Sequence, residues 1–215
     1  MEYLSKIDTL NRCYLWRVLF DHVRLLKISP LEFVTAVQSH LLAETEAQII
    51  PYILERVCWI LEHGILDNSS DKKFSEFAVK MAVEVLLSTI SDKIRNLPDS
   101  KQSEKTLLMD YYVRIYPSDE EASFETLQRM AETGTCVNSD GKTVASLNKL
   151  QRYTCLRKCA ASVQSADEAS KIEALVEAER LVDASDVDKA EYMKYQGSRP
   201  LENEKMQHLT KMIEG

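Results

Sequence analysis

The feature that most constrains the fold is a helical stretch near the start of the chain that is apolar on almost every side. Between Cys13 and Phe20 only Arg17 carries a charge. A helix of this kind is usually buried on several sides rather than lying on a surface. Two amphipathic stretches follow through very short connections, and short connections make helices antiparallel neighbours. Residues 7–64 are therefore predicted to form a compact three-helix unit whose first helix is the most buried.

Start and stop signals place the three helices of this unit. Apolar residues at helical spacing predict the first helix over about 9–26. Ser29 followed by Pro30 predicts the N-cap and the first residue of the second helix. Thr45 is predicted to cap the third helix, where Pro51 is tolerable only because it lies in the opening turns.

The remainder of the chain repeats the helical period. After a polar linker at 67–73, further helices are predicted up to Pro98, from Asp99 or Ser100 to Pro117, from Ser118 to about Glu132, and again near Val144, Ala166, Ser185 and Ser198. The clearest break is the stretch 134–144, which contains Gly134 and an Asn-Ser-Asp-Gly tetrapeptide. No segment shows the alternation typical of strands. The sequence predicts an all-α chain of about ten helices.

The helices come in successive pairs joined by short turns, which favours a particular architecture. We expect a right-handed superhelix of antiparallel helix pairs, an α-solenoid of the HEAT or armadillo kind, although no strict sequence period is visible. A globular helical bundle is the alternative. The expected organisation is a single helical-repeat domain over 1–215, with 134–144 as the place where it could divide.

Composition and charge exclude several classes of function. A chain of 215 residues with a net charge of −7 lacks the basic stripes expected of a nucleic-acid-binding protein. No apolar run approaches the eighteen or so residues of a membrane span. Charged residues at Glu2, Lys6 and Asp8 interrupt any signal-peptide pattern. We therefore expect no nucleic-acid or membrane partner, and a cytoplasmic location.

The five cysteines are expected to be reduced and structural. Their number is odd and no CxxC pair occurs. Cys13 and Cys58 stand among apolar residues, which is typical of free buried thiols. Cys155 and Cys159 are four apart on a predicted helix, where a disulfide along one helix would be unusual and further metal ligands are lacking nearby. Reduced thiols agree with a cytoplasmic compartment.

Motifs that would carry chemistry are sparse. The four histidines, His22, His40, His63 and His208, include no HExxH pair. His40 and Glu44 are four apart and could present two metal ligands, but a solvated helix end also explains them. Phosphate loops, nucleophile elbows and calcium loops are absent from the sequence. No catalytic, cofactor-binding or metal-binding residue is predicted, so the residues alone do not indicate an enzyme.

Two sets of side chains receive structural interpretations. Trp16 and Trp59 each stand in an apolar helical run, so both are predicted to be largely buried. Arg12, Arg17 and Arg24 could mark one face of the first helix. They either line a cavity or pair with acidic residues, and the sequence leaves both alternatives open.

Short motifs in the first third and at the end of the chain together carry a resemblance to a known family. The first third contributes Ile7-Asp8-x-Leu10-x-Arg12-x-x-x-Trp16, Asp21-His22-Val23-Arg24, Ser29-Pro30-x-Glu32-Phe33 and Leu41-x-x-Glu44-Thr45-Glu46. The end contributes Leu156-Arg157, the stretch Asp183 to Asp188, and Arg199-Pro200-Leu201-Glu202-Asn203-Glu204-Lys205. These motifs resemble the C-terminal helical domain of M1-family zinc aminopeptidases, while the middle, 67–145, matches only in character.

The resemblance implies a function that the residues alone do not. Members of this family remove single residues from peptide N-termini with a catalytic zinc, held by an HExxH helix and a downstream glutamate, while a GxMEN segment grips the free amine. None of these elements is in this chain. The helical domain forms a bowl that covers the active-site cleft and limits peptide access. Its implied partners are the catalytic domain of the same polypeptide and peptide substrates.

The competing hypothesis is a stand-alone helical-repeat interaction module without a peptidase relationship. Under either hypothesis the chain itself is expected to hold no zinc and to be catalytically inactive. Residues that line a substrate cavity cannot be assigned from the sequence, because the curvature of the array decides which helix faces point inward.

Overall fold

The computed structural model describes residues 6–63, 72–117, 121–137, 142–163, 165–182 and 186–198. The described part is mostly helical, and its α-helices are α1 (Thr9–Arg24), α2 (Pro30–His40), α3 (Ile49–Glu62), α4 (Lys72–Asn96), α5 (Gln102–Ile115), α6 (Glu121–Thr133), α7 (Lys149–Ser162), α8 (Ala166–Val182) and α9 (Asp186–Ser198). A single 3-10 turn, Asp99–Lys101, precedes α5. The all-α fold class is confirmed. The helix expected to begin near Ser198 falls on residues after α9, outside the described residues.

Local signals explain most helix starts. Ser29 and Glu32 form the capping box of α2, with Pro30 as the first helical residue, as the sequence predicts. Asn148 caps α7 in the same manner. The predicted cap at Thr45 is wrong, because α3 begins only at Ile49 and no side chain caps it. Glu44 accepts the hydrogen bond from the Thr45 backbone instead.

A small antiparallel hairpin is the one departure from all-helical structure in the described residues. Strands β1 (Thr135–Val137) and β2 (Thr143–Ser146) pair with Cys136 opposite Ala145. The helical segment predicted near Val144 is therefore wrong. Strands of three and four residues are too short for their alternation to be distinguished from a helical pattern, although β-branched residues at Thr135, Val137 and Val144 favour the extended backbone.

The first compact unit, Met1–Tyr116, contains α1 to α5. Within it α2 packs on α4, α3 packs on α5, α4 packs on α5, and α1 contacts α2 and α3. Its largest fully buried side chains are aliphatic and aromatic: Phe33, Leu41, Ile49, Ile50, Ile53, Leu54, Ile60, Leu86, Ile90 and Tyr112. Helix α3 supplies five of these ten, more than any other helix, so the centre of this unit is α3.

The predicted status of α1 as the most buried helix is wrong. Only Trp16, Phe20 and Val23 of this helix are buried, against seven residues of α3. The apolar residues on the other side of α1, among them Leu10 and Tyr14, are exposed. An all-round apolar sequence predicts several packing partners, and the described residues provide partners for one side of α1 only.

The second compact unit, Pro117–Gly215, contains α6 to α9 and the hairpin. Helix α7 is its centre, packing on α6, α8 and α9, while β1 packs on α6. The division between the units falls at Pro117, whereas β1 and β2, which occupy the described parts of 134–144, lie within the second unit. No helix in the described ranges combines the length and the apolar character that crossing a membrane requires.

Helix α1 ends in an unusual conformation. Leu26 has a φ of 55°. Its backbone N–H donates to the Val23 carbonyl at 2.9 Å, and that of Lys27 donates to the His22 carbonyl at 2.9 Å. These bonds define a Schellman motif, in which the left-handed position is usually glycine. A leucine at this position strains the backbone, and its side chain is exposed.

Replacing Leu26 with glycine is expected to stabilise the chain by about 1 kcal/mol, because an L-residue in this region is strained and glycine is not. Gly134, with a φ of 64°, provides the opposite test. Gly134→Ala should destabilise the chain by about 1 kcal/mol. A Cβ there meets Arg152 only at an ordinary 3.8 Å, so the effect comes from the backbone. Urea unfolding measures both variants, and effects of the same sign would contradict this account.

Candidate functional site

Arg12 and Glu44, two residues that carry the resemblance, form a largely buried ion pair. Nε and Nη2 of Arg12 donate to the two carboxylate oxygens of Glu44, each at 3.1 Å. Nη1 of Arg12 donates to the Ile7 carbonyl at 2.7 Å. The two side chains are only 12% and 5% exposed. Hydrogen bonding to the carboxylate raises the pKa of Arg12. The pair fixes the start of α1 against the turn between α2 and α3.

Glu44 also organises that turn. Its Oε1 accepts the backbone N–H groups of Thr45 and Glu46, both at 3.0 Å. Its backbone carbonyl accepts a hydrogen bond from Nζ of Lys93 in α4 at 2.6 Å. Lys93 is buried, and this burial lowers the pKa of its amine. The Glu-Thr-Glu motif is therefore a structural junction of α1, α3 and α4.

The open question about the three arginines of α1 is answered residue by residue. Arg12 pairs with buried Glu44, and Arg24 pairs with Asp21 at 3.6 Å on the surface. Arg17 is exposed and makes no ion pair within the described ranges. The alternative of pairing with acidic residues holds for two of the three.

Trp16 is buried, as predicted, whereas Trp59 is only partly buried. The Trp16 ring packs edge-on against Phe33 at 6.0 Å between ring centroids. Phe20 contacts both Phe33 and Trp59 at 5.6 Å. These rings join α1, α2 and α3 into one aromatic cluster.

Exposed apolar residues recur along the open side of α1, with the exposed charged residues Arg17, Asp21 and Arg24 between them. We call the apolar set the α1 outer face, and its residues are Leu10, Tyr14, Leu15, Leu25 and Leu26. Leu10 and Leu26, near its two ends, are 80% and 72% exposed. Single exposed leucines are ordinary, whereas several on one helix and its C-cap make α1 a candidate binding surface.

A second feature lies where α3 meets α1, among partly exposed residues of α3. Tyr52, Arg56, Trp59 and His63 recur along α3 at helical spacing. The guanidinium of Arg56 lies 4.7 Å from the Tyr52 ring centroid and 5.1 Å from that of Phe20. The rings of Trp59 and His63 stack at 4.6 Å. We call the Arg56 guanidinium with the Phe20 and Tyr52 rings the Arg56 cradle.

The histidines do not assemble a metal site in the part of the chain that the structure describes. No group of three or more potential ligands occurs there. Glu44 is committed to Arg12, so His40 and Glu44 do not present two free ligands. Burial lowers the pKa of His40. His22 and His63 contact the backbone carbonyls four residues earlier, and His208 lies outside the described residues.

All five cysteines are free thiols. Cys136, Cys155 and Cys159 are buried in the second unit, and this burial raises the pKa of Cys136 and of Cys155 to about 12 and that of Cys159 higher still. Cys58 is buried, as predicted. Cys13, predicted to be buried, is exposed because it lies on the open side of α1.

Iodoacetamide is expected to alkylate Cys13 first in the folded chain, because the thiolate is the reactive form and the other four thiols are buried. Mass spectrometry of peptides after brief labelling measures the order of modification. Denaturant should make the five sites equally reactive and so serves as the control. Early labelling of Cys155 or Cys159 in the folded chain would contradict their buried positions.

Sequence reasoning missed two of these residues. Lys93 stands three residues after Ile90, on the side of α4 that faces the core. A lysine at such a position needs buried hydrogen-bond acceptors. Arg56 stands within the aromatic spacing of α3, a pattern visible in the sequence.

Comparisons with protein-family models, with curated proteins and with solved structures find no match to this chain.

Proposed function

We propose that this chain is the C-terminal helical domain of an M1-type zinc aminopeptidase, covering the active-site cleft and controlling peptide access without supplying the catalytic centre. The observation that carries the proposal is the α1 outer face. The outermost helix of a repeat array normally has a polar outer surface for solubility. Here exposed apolar residues stand among the charged ones on that surface, and the last of them, Leu26, is strained. A catalytic domain of the same polypeptide docks on it.

The packing of alternate helices supports the solenoid part of the proposal. In the first unit α2 contacts α4 and α3 contacts α5, while in the second α7 contacts α9 and α6 contacts α8. Two layers of alternating helices are the arrangement of HEAT and armadillo repeats. We infer a right-handed superhelix of antiparallel pairs.

The identity of the docked domain comes from the resemblance. The motif residues are connected to one another, since Arg12 binds Glu44 and Trp16 packs on Phe33. Zinc belongs to the catalytic domain, and peptides are the substrates. The helical domain acts through access and closure rather than through chemistry.

The direct test is the coding sequence upstream of Met1 in the source gene. The proposal expects an HExxH motif, a downstream glutamate and a GxMEN segment there. A gene that lacks them would contradict the proposal and favour the interaction module, for which the same α1 outer face would be the binding surface.

A kinetic test addresses the access role in the parent protein. Aspartate at both Leu10 and Leu25 places charge on the α1 outer face and is expected to weaken docking. The kcat/KM for long peptides should then change more than that for a one-residue chromogenic substrate. Leu150→Asp, at an exposed leucine of α7, is the matched control and should leave both unchanged. Equal losses for both substrate sizes, with stability preserved, would contradict the access role.

A further inference from the structure

We draw no further inference here: the strongest candidate, the row of exposed apolar side chains Phe77, Met81 and Val85 along one side of α4, carries none because nothing in the structure shows what covers it.

Discussion

Trp16→Ala is expected to lower the free energy of unfolding by about 3–5 kcal/mol, the range for removing a large buried aromatic side chain. Trp16 is 2% exposed and lies where α1 meets α2, in edge-on contact with Phe33 and His40. Its removal leaves a cavity that the surrounding helices fill only in part. Denaturant unfolding followed by circular dichroism measures the loss.

Two further variants separate packing from the indole N–H. The Nε1 of Trp16 is buried without a hydrogen-bond partner in the described part of the chain. Trp16→Phe therefore removes an unsatisfied donor while it keeps a ring, and should be much less destabilising than Trp16→Ala. Trp59→Ala, at a partly buried position, should also be milder. Equal effects of the two tryptophan-to-alanine changes would mean that α1 is not anchored through Trp16.

Glu44→Ala is expected to destabilise the chain by about 3 kcal/mol, near the lower end of the range for breaking a buried ion pair, because Arg12 keeps slight solvent contact. The change leaves the Arg12 guanidinium without its carboxylate and the N–H groups of Thr45 and Glu46 without their acceptor. Asp21→Ala breaks the exposed pair with Arg24 and is the control, with an expected effect below about 1 kcal/mol.

A double variant tests the mechanism of that loss. Arg12→Met in the Glu44→Ala background removes the uncompensated charge, so the combined effect should be smaller than the sum of the two single effects. Urea unfolding of the four proteins completes the cycle. Strict additivity would show that Arg12 and Glu44 do not act as a pair.

The helical content and many helix boundaries could be predicted from the sequence because their signals are local. The Ser29-Pro30 start and the stop before Pro98 depend on a few adjacent residues. The exposure of one side of α1 could not be predicted in the same way. An apolar residue such as Tyr14 is exposed or buried according to which helices pack nearby, and its own sequence neighbourhood does not specify them.

The candidate sites likewise combine features that the local sequence shows with contacts that only the fold creates. The spacing of Tyr52, Arg56 and Trp59 on α3 was visible, but the cradle also needs Phe20, from a helix more than thirty residues earlier. The hairpin was missed because its strands are short, and because Gly134 marks a turn without showing which structure follows it.

The hydrogen bond from Lys93 to the Glu44 carbonyl has a consequence for how the chain acquires its structure. It joins residues 49 positions apart. Loops of this length close slowly relative to helix formation, so this junction forms after the individual helices. A fragment that stops after α3 would leave the Glu44 carbonyl and much of the α2 surface without partners. We therefore expect the smallest piece of this chain able to fold by itself to extend beyond the three-helix boundary that the apolar pattern indicates, through α4 and also α5, because α5 packs on both α3 and α4.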